Sequence, residues 1–198
     1  DLWDERATAG GVVATNDSGP LRHRYGSARD QLIGIHVATA DGRLAAAGGN
    51  VVKNVAGYDL GKLLSGSFGC LAAIVSATFK LAPVPASSLT LVQTFNDGAS
   101  LSAVAADLAS SQLDPISVEV DARVARAGGP WALRLLTRFG GSPGGIEEQA
   151  ALAERLARSR GPVTTERLTG DEDAAEWRER GRRFWAGPGT VVRASWLP

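Results

Sequence analysis

Residues 48–83 read GGNVVKNVAGYDLGKLLSGSFGCLAAIVSATFKLAP. A polar glycine turn, Gly48-Gly49-Asn50, comes first, then Lys53-Asn54 and a short helix-like run over 58–64. A second glycine turn, Gly66-Ser67-Phe68-Gly69, leads directly into a strand-like run that ends at Pro83. Glycine admits φ > 0 and lets a backbone approach a ligand closely. Two such turns around one short helix aim backbone amides at a polar group. The helix is too short to be stable alone and must be held by packing, with Leu60, Leu63 and Leu64 inward. Asp59, in its first turn, suits the helix dipole and reads as a helix-start stabiliser rather than a base. Over 71–81, Leu71, Ala73, Val75, Ala77 and Phe79 share one strand face. Cys70, the single cysteine, is expected as a small core residue at the start of that strand.

Toward the N-terminus, 8–30 reads as loop, because Gly10, Gly11, Asn16, Asp17, Ser18, Gly19 and Pro20 are all turn formers. Residues 11–14 leave room for one helical turn. A loop of this length is functional or else a plain surface loop. Next, 32–39 alternates, with Ile33, Ile35 and Val37 on one face and His36 on the other. Asp41-Gly42 is a two-residue hairpin signal, and 43–47 returns as the second strand. His36 is expected to face solvent or to hydrogen-bond. His23, within Arg22-His23-Arg24, is the better anion contact, although a solvated loop residue is the plainer reading.

Beyond Pro85 the pattern changes. Residues 89–95 form a strand, and Leu101, Val104, Ala105 and Leu108 a helical stripe. Ile116, Val118 and Val120 alternate, as do Trp131, Leu133 and Leu135, with Arg134 and Arg138 on the opposite face. Ile146, Ala150, Ala153 and Ala157, with Leu152 and Leu156, mark a second helix, and 163–168 a further strand. The order β-α-β-β-α-β is that of a ferredoxin-like split unit, an antiparallel sheet with its helices on one face. A charged helix over 171–183 and a last strand over 191–196 follow. The fold class is therefore α+β in two parts, 1–85 and 86–198.

The chain has 198 residues, 44% of them apolar, with 21 basic and 21 acidic side chains. Balanced charge argues against a nucleic-acid partner. Two histidines and one cysteine, far apart, make no zinc set, and no apolar run reaches transmembrane length. A cytoplasmic location is the expectation. There is no P-loop and no nucleophile elbow, and the carboxylates scatter too widely to nominate an acid–base pair. The five tryptophans read as core or interface anchors.

Four ordered blocks carry a resemblance: Gly10-Gly11-Val12-Val13-Ala14-Thr15-Asn16; Tyr25-Gly26-Ser27-Ala28-Arg29-Asp30; Lys53-Asn54-Val55-Ala56-Gly57-Tyr58-Asp59-Leu60; and Gly66-Ser67-Phe68-Gly69-Cys70-Leu71. Together they resemble the FAD-linked oxidases of the vanillyl-alcohol oxidase superfamily, with a PCMH-type FAD-binding domain. Within that group, which includes D-lactate dehydrogenases, the likeness is greatest to the smaller FAD-binding subunit of bacterial glycolate oxidase. The resemblance implies the later part of an FAD-binding domain over 1–85 and a ferredoxin-like cap, incomplete at its C-terminal end, over 86–198. It implies FAD as cofactor, held around Gly10, Gly11, Ala14, Thr15, Asn16, Gly19, Tyr25, Gly26, Arg29, Asp30, Lys53, Asn54, Gly57, Tyr58, Gly66, Ser67, Gly69 and Leu71. Lys53 would offer positive charge near reduced flavin; a solvated surface lysine is the other reading.

No catalytic residue is nominated. The implied substrate is a small 2-hydroxy acid such as glycolate. The implied partners are a larger flavin subunit and an iron–sulfur subunit, through which the chain would reach a membrane surface peripherally. A stand-alone D-lactate or sugar-lactone oxidase and a non-catalytic assembly subunit are the alternatives. A first residue of Asp1 and a sequence without methionine suggest a piece of a longer protein whose pyrophosphate-binding part comes earlier, so the chain alone is expected to be inactive.

Overall fold

The computed structural model describes residues 7–50, 58–124, 131–162 and 164–183. The expected loop over 8–30 contains three short helices, α1 (Ala9–Thr15), α2 (Arg22–Tyr25) and α3 (Ala28–Gln31). The one helical turn allowed over 11–14 lies within α1, and the glycines at its start hid the rest. Its ends are nevertheless set: Thr8 Oγ1 accepts from the Gly11 N–H at 3.0 Å, and Asn16 closes it with φ 48. Val13, fully buried, pins α1 to the core and supplies the stability that intrinsic propensity does not.

The alternation over 32–39 becomes β1 (Leu32–Ala38), joined by a tight turn to β2 (Leu44–Gly48). Gly42, at φ 80, donates its N–H to Thr39 O at 3.0 Å, which makes a three-residue hairpin loop. After α4 (Leu60–Leu64), β3 (Ala73–Phe79) pairs with β1, so the first sheet has the order β2-β1-β3. Ile35 and Val37 bury against Val13, Leu64 and Ala72, as the alternation requires. His36 lies on the exposed face, with Nδ1 and Ser76 Oγ 2.8 Å apart.

The expected inward face of β3 is corrected. Val37 pairs with Ile74 and His36 with Ser76, which leaves Val75 as an extra residue, 62% exposed. This β-bulge breaks the strict alternation, so Ile74 and Phe79 pack inward while Leu71 and Val75 face out. Cys70 is exposed rather than in the core, because it lies in the turn before the strand. In α4, Leu64 is buried and Leu60 packs on the core, but Leu63 points outward: one short turn presents only one face.

The second sheet contains β4 (Ser87–Phe95), β5 (Ser117–Val124), β6 (Trp131–Gly141) and β7 (Thr164–Thr169), in the order β5-β6-β4-β7 with every pair antiparallel. The helices α5 (Gly98–Ser110) and α6 (Pro143–Arg158) complete the β-α-β-β-α-β unit. Asp97 caps α5 by accepting from Ser100 N–H at 2.8 Å, and Ser142 begins α6 ahead of Pro143. Leu89, Leu91, Phe95, Leu135 and Phe139 pack against Leu101, Val104, Leu108 and the alanine stripe Ala150, Ala153 and Ala157. Leu152, read with that stripe, faces out.

The charged helix is α7 (Gly170–Arg183), and it corrects the expectation of one covered face. It packs on β4 and β7, against the residues that alternate with the apolar ones: Thr90, Arg134 and Arg138 bond to its side chains. Both faces of the second sheet are thus covered, one by an apolar layer and one by a mixed layer in which charged and polar side chains surround buried Val92 and Leu136. The expected strand over 191–196 and Trp3, Trp185 and Trp196 lie outside the described residues, as does Val163.

Gly48 fixes where β1 and β2 cross. Its φ is 75, and an added Cβ would lie 2.1 Å from Ile33 O, a backbone atom that cannot move aside alone. Gly48→Ala is expected to destabilise the chain by about 2–3 kcal/mol. Chemical denaturation followed by circular dichroism checks this; an unchanged midpoint would show that the crossing is looser than drawn.

Candidate functional site

The orphan carbonyls at the end of α1 decide the local arrangement. A helix leaves its last carbonyls without internal partners. Here Ala14 O accepts from Phe68 N–H at 2.9 Å, and Val13 O, which already accepts from the capping Asn16 N–H at 3.0 Å, takes a second bond from Gly66 N–H at 3.1 Å. The two glycine-rich blocks, far apart in sequence, are thereby joined backbone to backbone. The turn can present those amides because Gly66, Phe68 and Gly69 all have positive φ, at 81, 53 and 77.

A second set of bonds draws in α3. Asn16 Oδ1 accepts from Arg29 N–H at 3.2 Å. Asp30 Oδ2 accepts from both the N–H and the hydroxyl of Ser27 at 2.7 Å, a cap for α3. Gly26 must be glycine, since at φ 79 its Cβ would lie 2.7 Å from Asp30 Cβ. The Gln31 side-chain amide donates to Tyr25 O and braces the same corner.

The structure therefore brings together Ala14, Asn16, Arg29, Gly66 and Ser67 with its flanking turn. Gly10 packs toward Ile74, and Gly19 O receives Arg22 N–H at 3.0 Å. The Thr15 hydroxyl donates back to Gly11 O at 3.0 Å, and the Asp30 carboxylate caps α3, so both side chains are engaged locally. Asp59 caps α4, accepting from Lys62 N–H at 2.9 Å, as its position in the sequence indicates. Tyr58, Gly69 and Leu71 are exposed, Tyr58 by 92%. Lys53, Asn54 and Gly57 lie outside the described residues. Phe68 was not among the residues singled out, yet its amide is one of the two that seal α1; its place between two turn glycines was the available signal.

Among the described residues no cluster of metal-ligating side chains occurs, and no helix is long and apolar enough to cross a membrane. Two features fit a cofactor that lies against backbone. Ser67 Oγ is buried with no partner, and a Cβ on Gly69 would meet nothing within 4 Å, so the turn has open space on its outer side.

A model of the FAD-binding domain family matches residues 2–48. Glycolate oxidase subunit GlcE of Escherichia coli (strain K12) is 32% identical over 197 residues, which cover 98% of this chain and 49% of that subunit. The chain is thus similar to FAD-binding proteins of the PCMH type. A D-lactate dehydrogenase of Archaeoglobus fulgidus is 44% identical over 79 residues, 40% of this chain and 18% of that enzyme. The solved structure of alkyldihydroxyacetonephosphate synthase shares the fold with a TM-score of 0.64 at 17% identity, over 88% of this chain and 36% of that one. The chain spans about half the length of GlcE.

The Asp30 carboxyl lies below its usual pKa of 3.8, first because Ser27 N–H and then because the Ser27 hydroxyl donate to the ionised form. A lowered folded pKa means the stabilisation is complete above the unfolded value and is lost as pH falls through the folded one. The Ser27–Asp30 corner is therefore expected to hold through the usual carboxylate range and to open only as pH falls below it. The Ser27 and Arg29 amide resonances should shift together in an NMR pH titration, and in Asp30→Asn that step should vanish.

Proposed function

We propose that this chain forms the later part of an FAD-binding domain, with its cap, in a 2-hydroxy acid oxidoreductase of the glycolate oxidase type. The observation that supports this best is the backbone junction of α1 with the Gly66–Gly69 turn, Gly66 N–H to Val13 O and Phe68 N–H to Ala14 O. It gathers family blocks that the sequence keeps apart onto one surface. FAD, when bound, would supply the redox chemistry as acceptor of a hydride equivalent.

The chain's own part is positioning. The residues that would hold the cofactor are those of the 10–16 helix, the 25–30 corner and the 66–71 turn, with Lys53, Asn54 and Gly57 from the segment between. Backbone amides in that turn orient a polar edge without the entropy loss of long side chains, and the Ser67 hydroxyl is a donor awaiting a partner. The cap would close over the substrate. Electrons would leave to a larger flavin subunit and an iron–sulfur subunit in the cytoplasm. The D-lactate dehydrogenase likeness favours D-lactate as the second reading of the substrate.

The glycines of the turn test the reading. Gly69 has room for a side chain as far as the protein itself is concerned, and Gly66 would touch only Asn16 Cβ at 3.7 Å. A branched residue at positive φ costs about 1–2 kcal/mol, which a folded domain tolerates. Gly66→Val and Gly69→Val, made in the full-length gene product, are expected to keep the circular dichroism spectrum and lose bound flavin. Wild-type flavin absorbance after denaturation of both variants would remove the turn from the cofactor site.

A further inference from the structure

The charged face of the second sheet holds one fully buried carboxylate, Asp173 on α7. Both its oxygens are taken. Thr90 Oγ1 donates to Oδ1, Ser88 Oγ donates to Oδ2 at 2.6 Å, and Arg138 Nη2 also donates to Oδ2. The two hydroxyls are aimed. Trp177 Nε1–H donates to Thr90 Oγ1 at 2.8 Å, and Arg138 Nη2 donates to Ser88 Oγ at 3.2 Å. A hydroxyl whose oxygen already accepts turns its own proton elsewhere, and both protons turn to Asp173.

Donors also exceed acceptors around this point. Ser117, directly across from Arg138 on β5, is fully buried with its hydroxyl unpartnered, and the Nε–H groups of Arg134, Arg138 and Arg180 are unpartnered too. The apolar part of this face is small, the buried pair Val92 and Leu136 with the Trp177 ring, and ion pairs surround it. Glu176 bonds Arg134 at 2.9 Å and Arg180 at 3.0 Å, and the guanidinium groups of Arg138 and Arg180 lie 5.5 and 5.9 Å from the Trp177 ring centre. The helix starts directly after β7 at Gly170, whose φ is 54 and whose surroundings are open, so a pivot is available.

We infer that Ser88, Thr90 and Arg138 form a receptor for a small carboxylate anion, that Asp173 is its built-in occupant, and that loss of this occupant frees α7 from the sheet. The recess selects a carboxylate because every group lining it donates. An amide would set its N–H against one of these N–H or O–H donors. The inference does not depend on the flavin reading, since the receptor is built from cap residues alone.

Asp173→Ala empties the recess in the full chain. Its melting temperature is expected to fall by about 10 °C, because a partly buried arginine and two hydroxyls lose their shared partner. Sodium formate should restore at least half of that loss along a saturating curve, and sodium chloride at equal ionic strength should not. Adding Arg138→Gln should abolish the rescue. Asp173→Asn, whose amide fills the space, should show none. Amides of α7 should exchange at least tenfold faster in chloride than in formate in the alanine variant, while those of α5 and α6 stay unchanged. Equal effects of formate and chloride would overturn the receptor, and equal exchange in α7 would overturn its hold on the helix. If the alanine chain is unfolded in chloride, the same titration is read as refolding. Formate-driven recovery supports the receptor, and a chain still unfolded in formate, while Asp173→Asn folds, counts against it.

Discussion

Two backbone hydrogen bonds, from Gly66 and Phe68 to the last carbonyls of α1, fix where the first part of the chain can go. Unpaired carbonyls beside a packed core are expensive, so the turn and the helix must meet. Once they do, Val13 and Leu64 converge on the same face of the first sheet and close its core with Ile35 and Val37. Asn16, at the end of the same helix, then reaches α3, so the 25–30 corner inherits its position from the helix end. One junction therefore sets three segments that the sequence separates.

The second sheet solves a different problem. Its apolar face is closed by α5 and α6 in the manner of a helix-on-sheet layer, and burial there is continuous from Leu89 to Ala157. Its other face is closed by ion pairs, in which geometry matters more than area. Arg24 on α2 and Asp114, between α5 and β5, meet at 2.7 Å and connect the two sheets' surroundings. Both side chains are about half exposed, so this contact orients more than it stabilises.

Much of this was legible from sequence where one face of an element is buried and the other is not. Residues 32–39, the 101–108 stripe and the 146–157 stripe all follow their periods, and the β-α-β-β-α-β order gives the observed strand arrangement. Asp59 was readable because a cap is a local device. What escaped reading was non-local. Helix α1 begins with glycines and exists through tertiary contacts. The bulge on β3 escapes because valine suits a strand whether or not it is the surplus residue. The charged layer escapes because Asp173 finds Arg138 from 35 positions away and Ser88 from 85, and no period links them. In the flavin blocks, the motif named the neighbourhood, while the structure shows that Thr15 and Asp30 serve their own helices.

The surplus residue at Val75 has a metric consequence. An extended residue adds about 3.3 Å of chain, and a bulge absorbs that length without advancing the ladder. The bulge lies within the ladder, with Ile74 and Ala73 still paired to β1 on the side of the turn that reaches α1, so it acts as a spacer: it sets where along β1 that last stretch of ladder, and the turn attached to it, stands. A hydrogen bond tolerates a few tenths of an ångström, whereas one residue of slack is ten times that. A residue whose side chain touches almost nothing thus keeps distance for the junction, and its job would be invisible to any inventory of contacts.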